Sequence, residues 1–94
     1  MNTLLEAIQK HPEAFIDTCT ARASTTPSAQ NKSNHLLLSE AIKSQQWEKV
    51  HSIITLANYQ QALYGVVCCL LRYSYLDGQE WHKIVDLFNE GKLV

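Results

Sequence analysis

Apolar residues recur along this chain at helical spacing. Leu4, Leu5 and Ile8 form a first stripe, Phe15, Ile16 and Cys19 a second, and Leu37, Leu38, Ala41 and Ile42 a third. Trp47, Val50, Ile54 and Ala57 follow at i, i+3, i+7 and i+10. Such offsets put side chains on one face of a helix. Residues 59–76 are apolar nearly all round, and Trp81, Ile84, Val85 and Phe88 give a sixth stripe. Nowhere do β-branched residues alternate with polar ones for five positions, so no strand is expected. The fold class that follows is all-α: a compact bundle of about six helices, built from antiparallel helical hairpins.

Punctuation supports these divisions. Thr3-Leu4-Leu5-Glu6 reads as a capping box, in which hydroxyl and carboxylate satisfy early backbone N–H groups. His11-Pro12 stops the first helix, and Pro12 suits the first position of the next. The third helix is expected from Asn34, with a break at Ser44-Gln45-Gln46 and an end near Asn58. Asp77-Gly78 is expected to end the fifth helix, with Gly78 in the left-handed C′ conformation, and Gly91 to close the sixth. Residues 23–33 hold Pro27 and no large apolar side chain, so they read as a flexible loop.

Composition narrows the class. Ninety-four residues make one domain, 1–94. An apolar fraction of 46% with 18% charged residues does not suit a disordered chain. The net charge of −1 supplies no basic field, so nucleic acid is not an expected partner. The longest apolar run, 62–71, has ten residues against the roughly 20 that a membrane span needs. No basic segment followed by an apolar one opens the chain, so no signal peptide is expected. Three cysteines, two of them adjacent, do not form a disulfide framework. Cytoplasmic residence with reduced thiols is the expectation.

Candidate chemistry is sparse. His11, His35, His51 and His82 never fall at i, i+3 or i+4, and Cys68 and Cys69 point about 100° apart on a helix. No metal and no cofactor are expected. Gly65, Gly78 and Gly91 form no phosphate loop. A cysteine-dependent hydrolase, joining Cys19, Cys68 or Cys69 to His51 or His82, is the one enzyme hypothesis with content. Cys68 and Cys69 stand mid-helix among Val66, Val67, Leu70 and Leu71, where packing is the commoner role. The chain is therefore expected not to be an enzyme.

Trp47 and Trp81 are 34 residues apart, and at that offset 45–50 lies over 79–84. Periods of this size suggest stacked helical hairpins. The stretch 41–54, with Ala41, Val50, Ile53 and Ile54 at its apolar positions, resembles the helix-turn-helix part of an ankyrin repeat. Residues 77–91 are similar. The period and the aromatic near each second helix also resemble tetratricopeptide units. The Thr-Pro-Leu-His opening of ankyrin repeats is absent, and Gln45 replaces the turn glycine. The resemblance implies a non-catalytic scaffold for a protein partner and, through diverged ankyrin-like units, a bacterial effector or its regulator, with delivery into another cell left open. A six-helix, death-fold-like bundle that self-associates is the alternative. Trp47 and Trp81 lie on apolar stripes, so core is preferred to interface for both.

The fifth segment offers the surface to test. Tyr59, Ala62, Leu63, Val66, Leu70 and Tyr73 share one face, which suits the core. Tyr64, Cys68, Leu71 and Tyr75 form a second stripe, expected to stay partly exposed and to dock a protein partner or a second copy.

Overall fold

Six α-helices and one 3-10 turn account for most of residues 3–73 and 75–90, the part of the chain that the computed structural model describes. They are α1 (Thr3–Lys10), α2 (Pro12–Thr25), α3 (Ala29–Lys43), α4 (Trp47–Ile54), α5 (Gln60–Arg72) and α6 (Gly78–Glu90). The 3-10 turn, Ala57–Tyr59, leads into α5, and among the described residues there is no strand. Pro12 opens α2 as its missing N–H allows. The expected cap by the Thr3 side chain and the stop at Gly91 fall outside the described residues.

The α2–α3 pair makes the most extensive helix contact. Helix α4 packs on α3, α5 on α2, and α6 on both α1 and α5. Leu4, Ile8, Phe15, Leu38, Ile42, Val50, Ile54, Leu63, Val66, Leu70 and Ile84 fill the centre. Trp47 and Trp81 are half-buried and pack against that core. The 34-residue offset does not pair equal elements. Ser44-Gln45-Gln46 forms a turn, whereas Gly78-Gln79-Glu80 is already helical.

Residues 23–33 are not a loop. Residues 23–25 finish α2 and residues 29–33 begin α3, leaving Thr26-Pro27-Ser28 as the connection. The small polar residues are capping residues. The Thr26 backbone N–H and hydroxyl both donate to the Arg22 carbonyl, at 2.9 and 2.6 Å. The Ser28 hydroxyl accepts from the Asn31 N–H at 3.3 Å. Each satisfies a backbone group that a helix end leaves orphaned.

Two further boundaries moved. Helix α5 ends at Arg72, where the Tyr75 N–H closes back onto the Leu70 carbonyl at 3.0 Å. Asp77-Gly78 opens α6 instead of ending α5. The Asp77 carboxylate accepts from the Glu80 N–H at 2.7 Å, and the Glu80 carboxylate accepts from the Asp77 N–H at 3.3 Å. That is a reciprocal capping box. Glu80 also pairs with Lys10 at 3.0 Å, fastening the end of α1 to the start of α6.

Helix α3 faces the core differently from expectation. It buries Asn34, His35, Leu38, Ser39, Ala41 and Ile42, while Leu36 and Leu37 are 45% and 47% exposed. Ala57 and Tyr73, also expected inside, are exposed. His35 is fully buried, and its Nδ1 is hydrogen-bonded to the Tyr59 hydroxyl at 2.6 Å. The two rings meet edge to face, with centroids 5.2 Å apart. His35 Nε2 is buried with no hydrogen-bond partner. Burial, and secondarily the positive charge of Arg22, hold the His35 imidazole below its usual pKa.

The α3–α4 turn carries the one positive φ among the described non-glycine residues, 57° at Gln45. The Gln46 N–H donates to the Ala41 carbonyl and the Gln45 N–H to the Ile42 carbonyl, both at 3.0 Å. This is a Schellman closure with glutamine where glycine is favoured. Gln45→Gly is expected to stabilise the domain by about 1 kcal/mol by relieving the left-handed strain. Urea denaturation should show a raised midpoint, and a lowered one contradicts the turn geometry.

The His35 environment makes a second prediction. As pH falls through about 6.5, the unfolded chain takes up a proton at this position before the folded one does. Stability is therefore present above that pH and lost below it, by up to about 1.4 kcal/mol per pH unit until the folded-state pKa is reached. The urea midpoint should be higher at pH 7.5 than at pH 5.5. His35→Gln should lower stability at both pH values and remove most of the difference. An undiminished difference in His35→Gln would assign the effect to other groups.

Candidate functional site

The stripe Tyr64, Cys68, Leu71 and Tyr75 does not survive as one surface. Tyr64 turns into the α5–α6 seam, with its ring centroid 5.1 Å from Phe88 and 6.1 Å from Trp81. The Phe88 contact is edge to face at 89°, the arrangement that ring quadrupoles favour. Cys68 and Leu71 are half-buried. Tyr75 lies beyond the end of α5, 48% exposed, and lines a groove on the α2 side together with Tyr73, which is 68% exposed. Helical spacing stops governing side-chain direction where the helix stops.

The groove has a volume of about 290 Å³ and runs between α2 and the C-terminal end of α5. Ala14, Asp17, Thr18 and Arg22 form one wall, and Cys69, Tyr73 and Tyr75 the other. Arg22 is the one lysine or arginine among the described residues that is not exposed. Its Nη1 donates to the Cys69 Sγ at 3.4 Å, while its Nε is buried with no acceptor. Gly65 provides the room. A Cβ there would lie 2.7 Å from Arg22 Nη2 and 3.0 Å from Cζ, so a side chain at 65 would displace the guanidinium.

The cysteines sit in three different settings, and all are unpaired. Cys19 is fully buried beside Tyr59, and burial pushes its thiol up to about 12. Burial, with Cys69 beside it, also pushes Cys68 up. Cys69 alone has a guanidinium N–H aimed at its sulfur and opens into a groove. The histidines named with these thiols lie elsewhere. His51 is exposed on α4, where it lines a shallow hollow with Leu5 and Trp47, and His82 is exposed on α6. The buried histidine is His35, which pairs with Tyr59.

Among the described residues, no group of three or more His, Cys, Asp or Glu side chains is gathered to hold a metal. No single described helix is long and apolar enough to cross a membrane. Arg22 and Tyr73 are among the groove residues that sequence reasoning did not select for a binding role. A lone arginine in the otherwise uncharged run 18–31 was the available signal for the first. Against known proteins, the chain matches no family model, no curated protein and no solved structure.

Proposed function

We propose that this chain is a non-catalytic helical module that binds a protein partner or a second copy of itself, through the surface at the C-terminal end of α5. The observation that carries the reading is the placement of its aromatic residues. Phe15 and Tyr59 are buried, Trp47, Trp81 and Phe88 are half-buried against the core, and Tyr64 is half-buried against Trp81 and Phe88. Among the described aromatic residues only Tyr73 and Tyr75 stand exposed, and they share one groove with Arg22. Tyrosine and arginine are the side chains that most often anchor interfaces, because each buries area while keeping polar groups to pair. Cys68 and Leu71 lie half-buried on α5 outside this groove, and Tyr64 packs against Trp81 and Phe88 in the α5–α6 seam. The reading needs no repeat architecture.

A photo-crosslinking amino acid placed at Tyr75 should form adducts in cells, while the same residue at the exposed position His51 should not. A doubled mass identifies self-association, and any other mass a distinct partner. Tyr73→Ser with Tyr75→Ser should shift the melting temperature by no more than about 3 °C, since exposed substitutions typically change stability by under about 0.5 kcal/mol. Equal adducts from both positions, or none from Tyr75, would count against this surface.

A further inference from the structure

We infer that Cys69 is a site of thiol–disulfide exchange with small, carboxylate-bearing disulfides, in the groove that Arg22 and Gly65 build around its sulfur. The inference goes beyond protein binding, and its test requires no partner. Three independent features converge. The first is access: Cys69 is half-buried and lines an open groove of about 290 Å³, close to the lower end of small-ligand sites. Cys19, by contrast, is sealed in the core.

The second is electrostatic. Reactive cysteines occupy electropositive, partly exposed positions. The Arg22 guanidinium donates to Cys69 Sγ at 3.4 Å and, among the described residues, has no carboxylate ion pair. Asp17 lines the same groove without pairing with it. A half-buried cation without a counter-charge is costly, so a group that brings negative charge into the groove is favoured at this point. The third is the fit of the cation itself. Gly65 leaves the space that the guanidinium fills, where even a methyl group would press on Nη2 at 2.7 Å. The helix surface thus leaves room for the cation beside the sulfur.

The exchange balances without further reactants. The Cys69 thiol gives up its proton, and its sulfur attacks one sulfur of the small disulfide. A new S–S bond forms, the original S–S bond breaks, and the released half leaves as a thiolate that takes up a proton. Cys69 is oxidised and the released half is reduced. The sulfur in the mixed disulfide carries no charge, so the charge balance at Arg22 is unmet. A carboxylate on the attached half restores it through a charge-assisted pair. This selects disulfides that bear carboxylates over neutral ones of similar size.

Oxidised glutathione is a suitable probe for the folded protein at pH 7.5. The expected product is a single adduct, which fragmentation mass spectrometry places on Cys69 and not on its neighbour Cys68. Cys69→Ser should abolish the adduct and Cys68→Ser should retain it. Arg22→Gln should slow the reaction about tenfold, the weight of one charge-assisted hydrogen bond. Neutral hydroxyethyl disulfide should react more slowly than oxidised glutathione with the native protein, and the two rates should approach each other in Arg22→Gln. Site assignment on the unaltered chain does not depend on any variant folding. An adduct on Cys68, equal labelling of both, labelling only as fast as the chain unfolds, or an unchanged rate in folded Arg22→Gln would overturn the inference.

Discussion

The arrangement of the central helices turns on one polar contact, the hydrogen bond between His35 and Tyr59 inside the core. A buried imidazole or phenol without a partner costs roughly 1–3 kcal/mol, so each side chain needs the other. The bond joins α3 to the turn that opens α5 and sets which face of α3 looks inward. With His35 turned in, Leu36 and Leu37 lie about 100° and 200° further round, toward solvent. Asn34 and Ser39 are carried inside with His35. Helix α3 therefore exposes two leucines and buries three polar residues, the reverse of what hydrophobic pattern alone dictates.

A second polar contact joins α2 to α5. Arg22 leaves α2, passes over Gly65 and reaches the sulfur of Cys69 on α5. The same positive charge bears on His35 and helps to keep it neutral. Cys19, Arg22, His35 and Tyr59 thus form one electrostatic neighbourhood spread over two helices and a turn. Burial holds the Cys19 thiol and the Tyr59 phenol in their neutral forms, leaving Arg22 as its fixed charge. Such an arrangement specifies how α2, α3 and α5 meet more sharply than apolar packing alone, because a rotated helix would strand each polar group.

Elements governed by one apolar stripe were legible in the sequence. Leu4 and Ile8 in α1, Val50 and Ile54 in α4, and Ile84 in α6 are all buried as their spacing implies. Elements governed by polar contacts were not. Residues 23–33 read as a loop because two helix ends meet there, and helix ends draw on the same serine, threonine, asparagine and proline as loops do. Asp77-Gly78 was ambiguous in the same way, since glycine suits a helix end and aspartate a helix start. Glu80, three residues after Asp77, was the deciding signal, because a capping box needs that spacing. Gln45 shows the converse case. The turn takes a left-handed conformation that glutamine does not advertise, imposed by the packing of α4 on α3.

The candidate surface depended on where α5 ends, which periodicity cannot supply. Counting at 100° per residue puts Tyr64, Cys68, Leu71 and Tyr75 on one stripe only if the helix continues through residue 75. It stops at Arg72, and the bond from the Tyr75 N–H to the Leu70 carbonyl turns the chain back across the end of the helix. Tyr75 thereby leaves the α6 side, where Tyr64 packs, and joins Tyr73 over α2. Had the helix run on by one turn, Tyr73 would have followed the core-facing register and the groove would have lost a wall. A short backbone closure therefore gathers two exposed tyrosines, a thiol and a half-buried guanidinium into one hollow. The amphipathic pattern builds the bundle, and the helix terminus composes the groove.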